Sequence, residues 1–164
     1  MNEEIKENLE IRVDEIRKND LDKHNYRYIK LKNEIKCMLV QDKSTTKSAA
    51  FCFVNSGSLN DPPEVNGLAH FCEHMLFLGT EKYPDDTAYI NYLTSHGGSR
   101  NAATGEDFTY YYFDVKNEAL DGALDIFSEF FKKPQFTEKC TRREMEAVES
   151  EFKKNLNDEG RRII

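Results

Sequence analysis

The chain has 164 residues, a formal net charge of −7 and 38% hydrophobic residues, with Phe 11 and Tyr 8. That is apolar and aromatic material enough for one compact domain with a core, and too much for a disordered chain. The acidic balance and the lack of a dense Lys/Arg cluster argue against a nucleic-acid surface, and no apolar run approaches a membrane span.

Residues 1–25 read as a charged arm. Ile5, Leu9, Val13 and Ile16 recur at helical spacing between Glu3 and Lys18, which predicts a short helix there. From Tyr26 the composition changes. Tyr26–Leu31 and Ile35–Val40 are predicted strands joined by a hairpin turn at Asn33-Glu34. After a polar loop at Ser44–Lys47, the continuous apolar run Ala49–Val54 predicts a buried central strand.

Asn55–Asn66, with Gly57, Pro62 and Pro63, is a connection. Gly67–Gly79 then reads as a helix that is apolar almost all round and ends at a glycine cap. Thr87–His96 is a second helix closed by Gly97-Gly98. Asn101–Thr104 and Phe108–Val115 form another predicted strand pair, with Tyr110–Phe113 supplying core. Asn117 is placed to cap a helix whose apolar face is Leu120, Leu124, Phe127 and Phe131, stopped by Pro134. Thr137 begins a last, long, charged helix. These patterns admit α/β or α+β without choosing between them.

Cysteines stand at 37, 52, 72 and 140, with no C-x-x-C pair. The start of the chain lacks both a secretory signal and the Arg-rich, acid-poor composition of a mitochondrial presequence. A reducing compartment follows, and a cytoplasmic location is expected.

The chemistry concentrates in His70-Phe71-Cys72-Glu73-His74. On a helix, positions i, i+3 and i+4 share one face, so both imidazoles and the carboxylate project together. Buried in an apolar helix, three such groups are costly unless something pairs with them, and a metal would. Zinc accepts imidazole nitrogen and carboxylate oxygen, and catalytic sites use three protein ligands. His70 and His74 supply two. Glu144 and Glu151, seven apart on the last helix, share a face, while Glu146 and Glu149 point elsewhere. Glu151 is the candidate third ligand, Glu144 the candidate hydrogen-bond acceptor that orients a ligand histidine. Glu73 is the candidate general base. The competing readings are a hydrogen-bonded core histidine, and glutamates that merely solvate a charged helix. Two histidines and a glutamate on one apolar helix favour the metal.

The wider context resembles the insulysin branch of the pitrilysin family of inverted-motif (HxxEH) zinc metallopeptidases. The residues that carry the resemblance are Gly57–Pro63, Gly67–Thr80, Glu81–Pro84, Gly98–Ala102, Tyr111–Val115 and Arg143–Glu151. It runs in order from Tyr26 to Asn157. The resemblance implies one zinc per site held by His70, His74 and Glu151, with Glu73 as catalytic base and Glu144 as the accessory carboxylate. It also implies that Asn101, Ala102 and Ala103 bind an extended peptide by strand addition beside Phe77. Cys72 matches a cysteine that confers thiol sensitivity. Ala103 stands where the member that names the branch has a larger aromatic, so that subsite is expected to be roomier.

The fold implied is α+β, a mixed and mostly antiparallel β-sheet packed against helices. Residues 1–25 would be an arm, and 26–164 the incomplete catalytic domain of a much longer parent. Its remaining domains, short to medium peptides and a second copy of the parent are the implied partners, with no nucleic acid or membrane. The 164 residues alone are expected to lack most peptidase activity. Two other readings are a non-catalytic, partner-binding member of the family and a subunit like the mitochondrial processing peptidase. The intact set His70, Glu73, His74 and Glu151 opposes the first, and the insulysin-like flanks oppose the second.

Overall fold

The computed structural model describes residues 7–156. They form two antiparallel sheets and four helices, an α+β fold. Two compact units divide the chain, Met1–Thr45 and Thr46–Ile164.

The first unit is a three-stranded sheet in the order β1 (Leu9–Val13), β2 (Asn25–Leu31), β3 (Lys36–Gln41). Where a helix was expected, Leu9–Val13 is a strand paired with β2. The same stretch also places Leu9, Ile11 and Val13 at period two, and the open edge of β2 offers a ladder that an isolated 16-residue helix cannot match. Ile5, part of the expected stripe, lies outside the described residues. The β2–β3 hairpin forms as expected. Its turn is longer than Asn33-Glu34 alone, with Glu34 at φ 69° closing it. No side chain of this unit is fully buried among the described residues. Polar ties supplement the ladder, and the chief one is His24. Its Nδ1 lies 2.6 Å from Asp22 Oδ1 and its Nε2 lies 3.5 Å from Asp42 Oδ2.

The second unit holds the core. Its sheet runs in the order β4 (Lys47–Val54), β6 (Thr109–Lys116), β5 (Ser99–Thr104), both pairs antiparallel. Here β6 is the central strand, and β4, expected at the centre, takes an edge. The continuous apolar run of β4 misled because only one of its faces is covered. Ala50 and Cys52 pack on the core, while Phe51 and Phe53 remain 62% and 54% exposed. On that outer face they stack on Tyr110 and Phe108, with centroids 5.3 and 5.5 Å apart. Strand β6 alternates cleanly, its Tyr111, Phe113 and Val115 buried against the helices. Phe113, fully enclosed, contacts Tyr89 and Phe127 edge to face.

The unit has four helices, α1 (Leu68–Met75), α2 (Ala88–Ser95), α3 (Leu120–Glu129) and α4 (Glu138–Asn155), of which the first three pack on the sheet and α4 packs on α1. The buried stripe of α3 and its flanks is Ala119, Ala123, Ile126, Phe127 and Phe130. Leu124 and Phe131 of the expected face are more than a third exposed, so the helix is rotated from the expected orientation. The rotation brings Gly122 against the Tyr92 ring, where a Cβ would fall 2.2 Å from the phenol oxygen. Small residues at 119, 122 and 123 let α2 and α3 approach, which a count of large apolar side chains overlooks. Asn117 does not cap α3, and its side chain accepts from the Ser48 hydroxyl at 2.8 Å. Thr137 does cap α4, accepting from the Cys140 amide.

Helix α1 touches β5, β6 and α4. It is shorter than Gly67–Gly79 because its last turn tightens, Leu78 N donating to Met75 O at 3.2 Å. Its start has an unusual cap. Gly67 at φ 90° has no side chain to offer, and Asp61 closes the turn from six residues upstream. The two carboxylate oxygens accept from Gly67 N at 2.7 Å and Ala69 N at 2.8 Å. Pro62 and Pro63 stiffen the intervening loop.

Two predictions follow from these ties. Asp61→Ala strips two charge-assisted hydrogen bonds from the start of α1 and lowers stability by about 1–2 kcal/mol, read as a reduced urea midpoint at constant slope. For the first unit, the hydrogen bond to Asp22 raises the His24 pKa above its ordinary 6.5, and the His24 amide and Tyr26 hydroxyl hold Asp22 down to about 2. The histidine contribution is therefore present at low pH and lost as pH rises through its folded pKa, and the aspartate contribution is lost as pH falls towards 2. A proton NMR titration should find His24 titrating above 6.5 and moving down in Asp22→Asn.

Candidate metal centre

Helical spacing brings His70 and His74 to one side of α1, and their Nε2 atoms point at a common position 3.2 Å apart. The rings are nearly perpendicular, at 82°. From α4, Glu151 Oε2 reaches within 3.8 Å of His70 Nε2 and 3.7 Å of His74 Nε2. All three donor atoms lie within 4.8 Å of one another, the one such group of His, Cys, Asp and Glu among the described residues.

These spacings can be tested against zinc. Bonds of about 2.0–2.1 Å in a tetrahedron separate the ligand atoms by about 3.3–3.4 Å, close to the three distances here. Two nitrogens and a carboxylate oxygen are also the donor set that zinc accepts. Without a positive centre, lone pairs converging in this way would repel. The donor set fits.

The groups behind the donors are held in turn. Glu144, two turns before Glu151 on α4, places Oε2 3.3 Å from His74 Nδ1. A proton on Nδ1 donated to that oxygen leaves the Nε2 lone pair facing the centre. Arg143 braces Glu144 at 3.5 Å and ties α4 to Asp86 at 2.8 Å, just ahead of α2. Glu146 and Glu149 are exposed, on the other side of α4.

Glu73 is only 7% exposed and belongs to no ligand triangle. Thr104 of β5 donates its hydroxyl to Glu73 Oε2 at 2.6 Å. That contact was not foreseen from the sequence, although alternation along β5 puts Thr104 on the same face as Ala102. Cys72 is exposed on α1 and is not one of the donor group, and partial desolvation of its sulfur pushes the thiol above its ordinary pKa.

A cavity of about 700 Å³ opens over the cluster. His70, Glu73, His74, Glu144 and Glu151 line it, and so do Phe77, Asn101, Ala102 and Ala103. Every residue picked for the site from sequence therefore reaches this cavity except Cys72. Arg100 and Ser58 join the lining unforeseen, as does Asn155 one turn beyond Glu151. Ser58 is presented by a short 3-10 turn, Ser58–Asn60, that docks on the β5–β6 hairpin through Ser58 N to Gly105 O at 3.0 Å. Gly57 permits the approach, since a Cβ there would sit 2.4 Å from the Gly105 oxygen.

The chain is similar to known proteins along most of its length. Over 149 residues it is 50% identical to insulin-degrading enzyme of Homo sapiens, covering 91% of this chain and 15% of that one. A Schizosaccharomyces pombe protein named as a zinc protease is 49% identical over 144 residues, covering 88% of this chain and 15% of that protein. Among solved structures, pitrilysin superposes with a TM-score of 0.83 at 39% identity, across 88% of this chain and 16% of pitrilysin. The chain thus spans about a seventh of these relatives. Residues 36–162 match the model of the insulinase family, peptidase family M16, and the chain belongs to that family.

Proposed function

We propose that this protein is a zinc-dependent endopeptidase of short to medium peptides, acting through the cavity over His70, His74 and Glu151. The observation that carries the reading is the convergence of three donor atoms beside a buried carboxylate, Glu73, that is not one of them. Because the chain spans about 15% of its human relative, the activity is proposed for the full-length protein, with other domains completing the cleft.

His70, His74 and Glu151 would hold one zinc ion, which when bound supplies Lewis-acid polarisation of a carbonyl and makes nearby water more acidic. The protein groups do the rest. Glu73 has one oxygen engaged by Thr104, which fixes the carboxylate plane and leaves the other oxygen to take a proton from the attacking water. The same carboxyl then delivers that proton to the leaving amine. Glu144 holds His74 in the tautomer that keeps Nε2 unprotonated. Among the described residues strand β5 is paired on one side only, so its other edge can take an extended peptide by strand addition past Asn101, Ala102 and Ala103. The small Ala103 leaves room beside the bond to be cut.

Cysteines at 37, 52, 72 and 140 with no C-x-x-C pair favour a reducing, cytoplasmic setting. No helix among the described residues is long and apolar enough to cross a membrane.

In the full-length protein, Glu73→Gln should lower kcat on a fluorogenic peptide by about 10²–10⁴-fold while zinc content stays near one per site. Loss of the metal with that substitution would reassign Glu73 as a ligand and overturn the mechanism. Glu144→Ala should keep the ligand set but weaken zinc by about 10–100-fold, read by competition with a chromogenic chelator.

A further inference from the structure

We propose that Arg100 is a specificity residue that recognises a carboxylate of the substrate, an acidic side chain or a C-terminus, within four residues of the scissile bond. This rests on the peptidase reading above and adds a substrate class to it.

Alternation along β5 puts Arg100, Ala102 and Thr104 on one face of the strand. Thr104 marks the reacting end, through its hydrogen bond to Glu73. Four residues back, about 13 Å along the strand, Arg100 lies on the wall of the same cavity. A peptide paired beside β5 therefore passes Arg100 within about four residues of the bond held at Thr104.

The guanidinium is held, but its charge is not answered. It lies 4.1 Å over the centroid of Phe77, which lines the same cavity. Arg27, Arg142 and Arg143 each bind a carboxylate at the surface. Arg100 is half-buried and has no ion-pair partner among the described residues, and its Nε is buried without a hydrogen-bond acceptor. Among the described residues the other such buried polar atom is the hydroxyl of Tyr89, whose ring also stacks against Phe77. Burial pushes the Arg100 pKa down from its ordinary value, as expected of a desolvated cation without a counter-charge.

A cation costs most when buried and unpaired, and an aromatic face offsets only part of that cost. The carboxylates of the cavity are engaged elsewhere: Glu73 with Thr104, Glu144 with His74, and Glu151 with the histidine pair. A planar guanidinium fixed on a ring presents its remaining N–H donors as a fork that suits a carboxylate. The missing acceptor is one that a substrate can bring.

The test is a peptide series cut by the full-length protein, with Glu or Gln placed at each of four positions on either side of one scissile bond. A second set compares free with amidated C-termini. The expected result is a preference for the carboxylate of about tenfold in kcat/KM at one position, falling to about one in Arg100→Gln and partly kept in Arg100→Lys. Which set shows it separates a side chain from a terminus. Identical Glu/Gln ratios for wild type and Arg100→Gln at every position would overturn the proposal while leaving the peptidase reading intact. Should no peptide be cut, that reading fails, and binding of the same peptides to Glu73→Gln decides on Arg100 alone. A carboxylate preference abolished by Arg100→Gln sustains it, and equal affinities overturn it.

Discussion

Two imidazole nitrogens facing each other at 3.2 Å, with a carboxylate oxygen under 4 Å from both, are the constraint on which this structure turns. Such groups repel unless a positive centre lies between them, so the fold has to hold them against that repulsion. Two helices far apart in sequence share the task. The spacing within α1 aims both histidines, and the spacing within α4 places Glu151 and Glu144 on a common face. Ties then fix the helices themselves: Asp61 at the start of α1, Thr137 at the start of α4, and Arg143 to Asp86 between α4 and the lead into α2.

The sheet contributes chemistry as well as support. Strand β6 carries buried aromatics, and Leu76 and Phe77 at the end of α1 belong to or pack on the same core. Strand β5 then borders the cavity with a face on which Thr104 meets the buried Glu73 and Arg100 meets Phe77. Its outer edge has no partner strand among the described residues. One strand thereby offers a backbone that can read peptide main chain and side chains that can read charge.

Local signals were legible where one residue type has one physical use. The pairing of the β2–β3 hairpin, the Gly97-Gly98 stop after His96 and the Thr137 cap all form as the sequence predicts. Sequence and structure part where two periods compete and where an apolar run is covered on one face only. Leu9–Val13 reads at both helical and strand periods, and pairing with β2 decided for the strand. The apolar run of β4 suggested a central strand, yet half of it faces outward in a stacked aromatic layer. The stripe of α3 turned because its small residues, not its large ones, face the tightest contact.

By itself the sequence determined which side chains share a helix face: His70, Glu73 and His74 on one helix, Glu144 and Glu151 on another. That follows from helical geometry, a local property of consecutive residues. Only the tertiary structure decided that α4 crosses α1 where Glu151 meets the histidine pair, that Thr104 reaches Glu73, and that Arg100 lines the cavity without an ion-pair partner among the described residues. Those facts depend on how separate elements pack, and packing is set by the shapes of buried side chains over the whole unit rather than by any spacing along the chain.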